Sequence, residues 1–294
     1  MTNIFQLLKS KIGLMLVISS IITLNQACVE PMDLKPANFE KQLVVDATIT
    51  NEFGFQLVRL GRTMDFGEKE MPPVTNANVA VKVDDSVTIR FYERDTLPGF
   101  YYSEIPFAGE TGKTYQLLIS NIDVAGNGQP IDYTASAIMP DTLKIDSITT
   151  TYYKNWKALS LDCWAWDPPV TNYYNFKAWR NGVLVTDTLY EFNPTDDIMF
   201  NGNYTNGIPC QFLRDEKTDE LAVNGDTVTL EIDNIDKAYF DYINSAIKEY
   251  YGYNPMFGGL PANVYSNISN NAIGIFRVYT VNKCFTIVKG LERD

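Results

Sequence analysis

The sequence predicts a mainly β protein made of two antiparallel β-sandwich domains, with one helix in the second domain. From Gln42 onward, short runs of β-branched and aromatic residues alternate with clusters of turn-forming residues, which is typical of antiparallel sheets. The 294-residue chain is 45% hydrophobic and 13% aromatic, enough to fill real cores. Asn181-Gly182 lies between two apolar runs and predicts a hairpin, because both turn positions favour a positive φ.

The first predicted domain, residues 39–140, has the strand spacing of an immunoglobulin-like sandwich. Tyr115 opens an apolar run just after a turn, as in a tyrosine corner, where the hydroxyl ties the start of a strand to the preceding connection. We therefore expect Tyr115 to be structural. The predicted strands are Gln42–Thr50, Phe55–Gly61, Ala77–Val83, Val87–Tyr92, Thr114–Ser120 and Ile131–Met139.

The second predicted domain, residues 141–294, begins with a strand near Ile145. The segment Trp166-Asp167-Pro168-Pro169 resembles the passage between the second and third strands of a fibronectin type III sandwich, so Trp166 is expected in the core. Further strands are predicted over Leu159–Trp166, Tyr173–Arg180, Val183–Tyr190 and Thr227–Ile232.

One helix is predicted over residues 236–251, because apolar residues recur there at three-four spacing and Gly252 follows. Its polar face mixes acids and bases, so we expect it to cover an edge or an end of a sheet rather than to bind a membrane or a partner. Residues 253–271 are predicted to form a long loop. Ala272–Thr280 and Lys283–Lys289 are predicted as a final pair of strands.

Residues 1–27 have the three regions of a signal peptide: two lysines, the apolar run Ile12–Leu24 and a small residue before Cys28. Ala27-Cys28 resembles the lipobox of bacterial lipoproteins, and the alternative is an ordinary secretory signal with a chance cysteine. We expect Cys28 to carry acyl chains such as palmitate, each buried methylene contributing about 0.8 kcal/mol. Residues 28–38 would then form a lipidated tether.

The charge and the missing residue types exclude several functions. The chain has 24 basic and 36 acidic residues, and the signal peptide holds two of the lysines, so the mature chain has a formal charge of −14. Such a surface repels nucleic acid and anionic headgroups. The chain contains no histidine, so Ser-His-Asp and Cys-His nucleophile systems cannot be assembled. We expect neither an enzyme nor a metal or other cofactor.

The cysteines and carboxylates offer weak signals. Cys163, Cys210 and Cys284 are far apart in sequence, so one disulfide or none can form and the pair stays open. Paired carboxylates are the machinery of glycoside hydrolases, but no spacing singles out a pair among 36 acids.

The segment Asn121–Gly128 contains oxygen ligands that Ca²⁺ accepts. Asp123 and Asn127, with Asp132 after them, do not have the spacing of an EF-hand loop. A plain turn between strands is therefore favoured over a calcium site.

Tryptophans of the second domain are the candidate ligand platform, because flat rings bind the apolar faces of sugars. On the predicted strand Leu159–Trp166, one face carries Leu161, Cys163 and Ala165, and the other carries Trp164 and Trp166. Both faces can be core only if the sheet is covered on two sides. Trp164 is the residue most worth testing, and its packing in a core is the plainer alternative. The candidate ligand-binding residues are Trp164, Trp166 and Trp179.

Several segments in a fixed order resemble Bacteroidota lipoproteins of domain-of-unknown-function family 4249. Ala47 stands where that family has glycine, and Arg277 and Val278 stand where small residues are expected. The segments are Leu43–Glu52, Val58–Thr63, Ala77–Val79, Ile145–Ile148, Asn254–Pro255, Pro261–Val264, Ser266–Ile268 and Ala272–Phe276.

This resemblance implies an outer-membrane lipoprotein encoded beside a TonB-dependent receptor, with no catalytic residue to carry over. The predicted function is a non-enzymatic accessory or ligand-capture module of that transport system. The alternatives are a carbohydrate-binding surface protein that uses the second-domain aromatics, and a hydrolase. Glu30 and Asp33 after the lipidated cysteine resemble a surface-export signal, so the cell surface is favoured over the periplasmic face.

Six Asp-Ser/Thr-apolar triplets resemble the periplasmic O-glycosylation signal of Bacteroidota. The plainer explanation is that Asp-Thr makes good turns before strands. The candidate acceptors are Ser86, Thr96, Thr142, Ser147, Thr188 and Thr227.

Overall fold

Strands dominate the fold, which confirms the mainly β class. The computed structural model describes residues 40–65, 68–252 and 264–293, and within them there are fifteen strands and one α-helix. The unit Glu40–Asp294 is one compact body. The elements are β1 Leu43–Thr50, β2 Leu57–Arg62, β3 Asn78–Val83, β4 Val87–Arg94, β5 Leu97–Ser103, β6 Thr114–Ser120, β7 Tyr133–Ile138, β8 Ile145–Tyr153, β9 Ala158–Ala165, β10 Tyr173–Arg180, β11 Val183–Leu184, β12 Asn193–Asp196, β13 Ile208–Arg214, β14 Thr227–Ile235, α1 Lys237–Gly252 and β15 Ile273–Ile287.

The first seven strands form an antiparallel sheet in the order β1-β2-β5-β4-β3-β6-β7, and β15 adds to β1 in parallel. Alternate residues of each strand are buried, as in β6, where Tyr115, Leu117 and Ile119 point into a common first core. The sheet curls far enough for β7 to approach the segment before β15, where the Ser269 amide donates to the Thr134 carbonyl over 2.8 Å.

Tyr115 forms the predicted tyrosine corner. Its side chain is buried, and its hydroxyl accepts a hydrogen bond from the Glu110 amide at 2.7 Å. Burial raises the pKa of Tyr115, so the hydroxyl stays neutral in this position. The structural role predicted from the sequence is confirmed.

The later strands form a sandwich-like pair of sheets around a second core. One sheet has the order β8-β9-β13, and the other has the order β11-β10-β14-β15 with β12 beside β10. Leu161, Tyr174 and Leu230 are fully buried in this core. The predicted hairpin joins β10 to β11, with φ of 50° at Asn181 and 81° at Gly182.

β15 belongs to both groups of strands, which corrects the predicted terminal pair 272–280 and 283–289. Its first half pairs in parallel with β1 as far as Tyr279, and its second half pairs antiparallel with β14 from Thr280. Gly274 allows the close approach, because φ is 110° and an added Cβ would overlap the Val45 carbonyl. The division into domains 39–140 and 141–294 stays a prediction, since one strand completes both groups.

The helix α1 confirms the predicted one to within one residue at each end. Asp236 accepts a hydrogen bond from the Tyr239 amide at 2.8 Å and caps the helix. Tyr239 and Ile243 pack against Ile275 and Tyr279 of β15, so the helix covers part of a sheet face. No helix in the described part of the chain is long and apolar enough to cross a membrane.

Three strands, β5, β12 and β13, were not predicted from the sequence, and one strand was predicted too long. The predicted strand 183–190 is paired only over Val183–Leu184. Pro98 and Gly99 interrupt the alternation in β5, while β13 contains a bulge after Pro209. These irregularities remove the alternating pattern that would identify a strand in the sequence, although both segments pair with neighbouring strands in the fold.

Candidate functional site

The outer face of the sheet β8-β9-β13 carries the candidate site, and we call it the aromatic face. The central strand β9 sends Leu161, Cys163 and Ala165 into the second core, which confirms the predicted alternation. Trp164 therefore lies on the opposite side, half-buried, with its Nε1 donating to Thr149 Oγ1 at 2.9 Å. Its ring also packs against Gly207, so the choice between a ligand-binding role and buried packing for Trp164 stays a prediction.

Trp164, Trp166 and Tyr204 form the Trp166 cluster at one end of this face. Trp166 is 67% exposed, so the prediction that it lies in the core is wrong. Its ring centroid is 5.3 Å from that of Tyr204, and Trp164 lies 6.3 Å from Tyr204. Trp166 points outward because it follows Ala165, the last inward residue of β9.

Backbone contacts at the end of β9 position the Trp166 cluster. The Thr205 amide donates to the Ala165 carbonyl at 2.9 Å, and the Thr205 hydroxyl donates to the Cys163 carbonyl at 2.7 Å. The ring of Trp164 lies 2.6 Å from where a Cβ on Gly207 would stand. Burial and a hydrogen bond to Asp146 raise the pKa of Tyr204. The cluster is therefore fixed from several sides while Trp166 stays accessible.

Tyr153, Trp156 and Phe212 form the Trp156 cluster at the other end of the same face. Tyr153 and Trp156 are stacked with centroids 5.0 Å apart, and Phe212 meets them edge-on at 6.0 and 5.9 Å. Trp156 is 65% exposed. Tyr153 and Phe212 were not identified from the sequence, and neither was Tyr204.

A polar row separates the two clusters. Asp162 is buried on β9, where it accepts hydrogen bonds from Ser160 at 2.5 Å and from Thr151 at 2.6 Å. Ser147, Thr149 and Thr151 of β8 are exposed beside it. This row presents hydroxyl groups to solvent, while its carboxylate is already hydrogen-bonded within the sheet.

Trp179 lies on the other sheet and is not part of the aromatic face. Its Nε1 donates to Glu231 Oε2 at 2.7 Å, and the Lys283 ammonium lies 4.9 Å from the ring centroid. Its grouping with Trp164 and Trp166 as one ligand site is therefore wrong, because β10 and β9 belong to opposite sheets.

Trp179 belongs to a network of charges on the outer face of β10, β14 and β15. Lys177 Nζ lies 2.6 Å from Asp233 and 2.9 Å from Glu231, and Lys283 lies 3.3 Å from Glu231. Burial alone would lower the pKa of Lys177, but the two carboxylates outweigh burial and raise it. We call Lys177, Glu231, Asp233 and Lys283 the charge network.

Asp233 is the deepest member of the charge network. It is fully buried, and burial raises its pKa to about 7 despite the nearby Lys177. Its Oδ1 and the Oδ1 of Asn175 lack hydrogen-bond partners among the described residues. Glu231 also loses solvation, but Lys177 and Lys283 lower its pKa.

The segment that the sequence offered as a possible calcium site forms a plain turn. Asp123 accepts hydrogen bonds from the amides of Gly126, Asn127 and Gly128, which favours the plain turn over a calcium loop. No cluster of three or more metal-ligating His, Cys, Asp or Glu residues occurs in the described ranges.

Cys163 and Cys210 are buried in the second core, and Cys284 packs against it. Cys163, Cys210 and Cys284 are free thiols, so neither the single disulfide nor any pairing is formed. A hydrogen bond to Cys163 and burial raise the pKa of the Cys210 thiol.

The predicted acceptors of O-linked sugar differ in exposure. Thr188 and Thr227 are half-buried, and the Thr188 hydroxyl oxygen is itself inaccessible. Ser147 is notable because it pairs with Trp164 across β8 and β9. The exposed acceptors are Ser86, Thr96, Thr142 and Ser147. Glycosylation stays a prediction. Cys28, the tether and the signal peptide lie outside the described residues.

Comparison with known proteins identifies a family without an assigned activity. The family model described as "Domain of unknown function (DUF4249)" matches residues 29–284. No curated protein matches the chain.

Proposed function

We propose that this chain, which belongs to the DUF4249 family, is a non-catalytic outer-membrane lipoprotein that captures carbohydrate on its aromatic face. The observation that carries the proposal is the Trp166 cluster, where the largely exposed indole of Trp166 lies beside two half-buried rings on a sheet whose opposite side is already packed. The second core on the opposite side of the sheet is filled by other side chains. The exposure of Trp166 is therefore better explained by a ligand.

The chemistry of the cluster suits a sugar. The C–H face of a pyranose ring covers an indole and removes apolar area from water, which contributes about 25 cal/mol per Å². Hydroxyls of the exposed threonines of β8 can exchange hydrogen bonds with the ring's own hydroxyls. The same indole has no group that activates water or attacks a carbonyl, so capture rather than turnover is proposed.

A glycan array probed with the mature chain tests this function. We expect retention of a carbohydrate class by the unchanged chain, and binding at least about tenfold weaker for Trp166→Ala, as for an anchor aromatic residue. Phe285→Ala is the matched control, because Phe285 is 69% exposed but lies on the other sheet. No retained glycan, or equal binding by Trp166→Ala, would overturn the proposal.

The membrane anchor and the transport partner are proposed from the signal-peptide pattern and from the resemblance to DUF4249 lipoproteins. Cells fed labelled palmitate should incorporate label into this chain, and Cys28→Ala should abolish it. Affinity purification in detergent from native membranes should recover a TonB-dependent receptor. An unlabelled chain, or a purification without any receptor, would contradict the corresponding part.

A further inference from the structure

We infer that the aromatic face binds a linear oligosaccharide of several sugar units, laid along β9 from the Trp166 cluster to the Trp156 cluster. This inference rests on the proposed function and specifies the size and shape of its ligand. It depends on the second aromatic cluster, on the distance between the two clusters and on the polar row between them.

The register of the sheet sets the distance. Ser147 of β8 pairs with Trp164 of β9, and Tyr153 pairs with Ala158. The two ends of the face are thus six residues apart on one strand, which is about 20 Å at roughly 3.4 Å per residue. A monosaccharide or disaccharide cannot reach both clusters, whereas an extended chain of several units can.

The Trp156 cluster has the same construction as the Trp166 cluster. In each, one tryptophan is largely exposed, and its ring is supported on one side by a tyrosine: Trp156 by Tyr153, and Trp166 by Tyr204. Each supported indole leaves apolar ring surface for a ligand, at a small entropic cost because neighbouring rings restrict its motion. Two such platforms on one sheet face fit two separate units of a single ligand.

The middle of the face selects for a ligand rich in hydroxyl groups. Thr149 and Thr151 are exposed there, and both oxygens of Asp162 already accept hydrogen bonds from Thr151 and Ser160. A partner with a wholly apolar surface would leave these hydroxyls without hydrogen bonds, which is unfavourable. A strongly anionic polymer would be repelled by a chain of net charge −12. An oligosaccharide satisfies the row and both platforms together.

A chain-length series tests the inference. Malto-, cello-, xylo- and manno-oligosaccharides, from disaccharide to octasaccharide, are titrated calorimetrically into the mature chain. We expect affinity to rise with length and then to level off once the ligand spans both clusters. Trp156→Ala should remove about tenfold of the affinity for the octasaccharide and leave the affinity for the disaccharide unchanged.

The controls separate the two levels of the proposal. Trp166→Ala should weaken all lengths, and Phe285→Ala should weaken none. Equal affinity for short and long oligosaccharides, or an unchanged octasaccharide affinity in Trp156→Ala, would overturn the extended ligand while leaving carbohydrate capture intact. Failure of every oligosaccharide and every arrayed glycan to bind the unchanged chain would overturn both.

Discussion

The outer faces of the two sheets of the second sandwich differ in construction. The aromatic face keeps Trp156 and Trp166 largely in solvent, each beside a tyrosine ring, and hydrogen-bonds its central carboxylate to hydroxyls. The face formed by β10, β14 and β15 exposes Phe285, but it also carries the charge network, and α1 covers part of it. Buried charges have to be balanced by partners within the protein, whereas exposed rings are free to contact another molecule. The difference favours the aromatic face as the ligand surface.

The largest expected effect comes from removing the cation of the charge network. Lys177→Met leaves Asp233 and Glu231 without their common partner, so we expect the free energy of unfolding to fall by about 3–5 kcal/mol. Urea denaturation measures it. Lys237→Met is the matched control, because its pair with Asp241 is exposed to solvent, so its loss should hardly change the free energy of unfolding. Similar losses in both variants would refute the contrast.

The pH dependence of stability tests the burial of Asp233 in the charge network. The pKa of Asp233 is raised from 3.8 to about 7 in the fold, so the folded chain holds a proton that the unfolded chain releases. The stability from this group is complete below pH 3.8 and is lost as pH rises through 7. Relative to Asp233→Asn, the unchanged chain should steadily lose unfolding free energy as the pH rises from about 4 towards 7. Parallel stability curves for the two proteins would contradict the assignment.

The smallest expected effect is on the aromatic face. Trp166→Ala should change the free energy of unfolding by less than about 0.5 kcal/mol, because the indole stands largely in water. Leu161→Ala, on the same strand but fully buried, should lose about 2–5 kcal/mol. Thermal or urea unfolding of the pair distinguishes ligand surface from core. A large loss in Trp166→Ala would show that Trp166 serves the fold.

Local signals were enough to predict some features from the sequence. The helix α1 is marked by its apolar spacing and by Asp236 and Gly252 at its ends, and Tyr115 by the turn before it. Each of these depends on residues close together in the chain. Trp166 shows how two signals can disagree: the alternation along β9 places it on the face opposite Ala165, while the resemblance to a fibronectin motif places it in the core. The alternation prevailed, because Ala165 is inward.

Features that depend on distant partners were not predictable. The sequence predicted a break between two strands at Val281 and Asn282, yet β15 continues through them. The Val281 amide donates to Asn51 Oδ1, and the Asn282 side chain donates to the Leu143 carbonyl. The aromatic face was found only in part, since Tyr204 and Phe212 reach it from a loop and from the bulged strand β13. The pattern of residues within one segment does not indicate which distant segments it will contact.

The sharing of β15 has a consequence for biogenesis. A polypeptide leaves the ribosome from its amino end, so β1 is made early while Ile273–Tyr279, its parallel neighbour, is made almost last. Until then β1 has an open edge that other chains can pair with. We therefore expect the nascent protein to depend on a holding chaperone throughout its synthesis and export, and a premature stop codon just before residue 273 to damage both groups of strands at once.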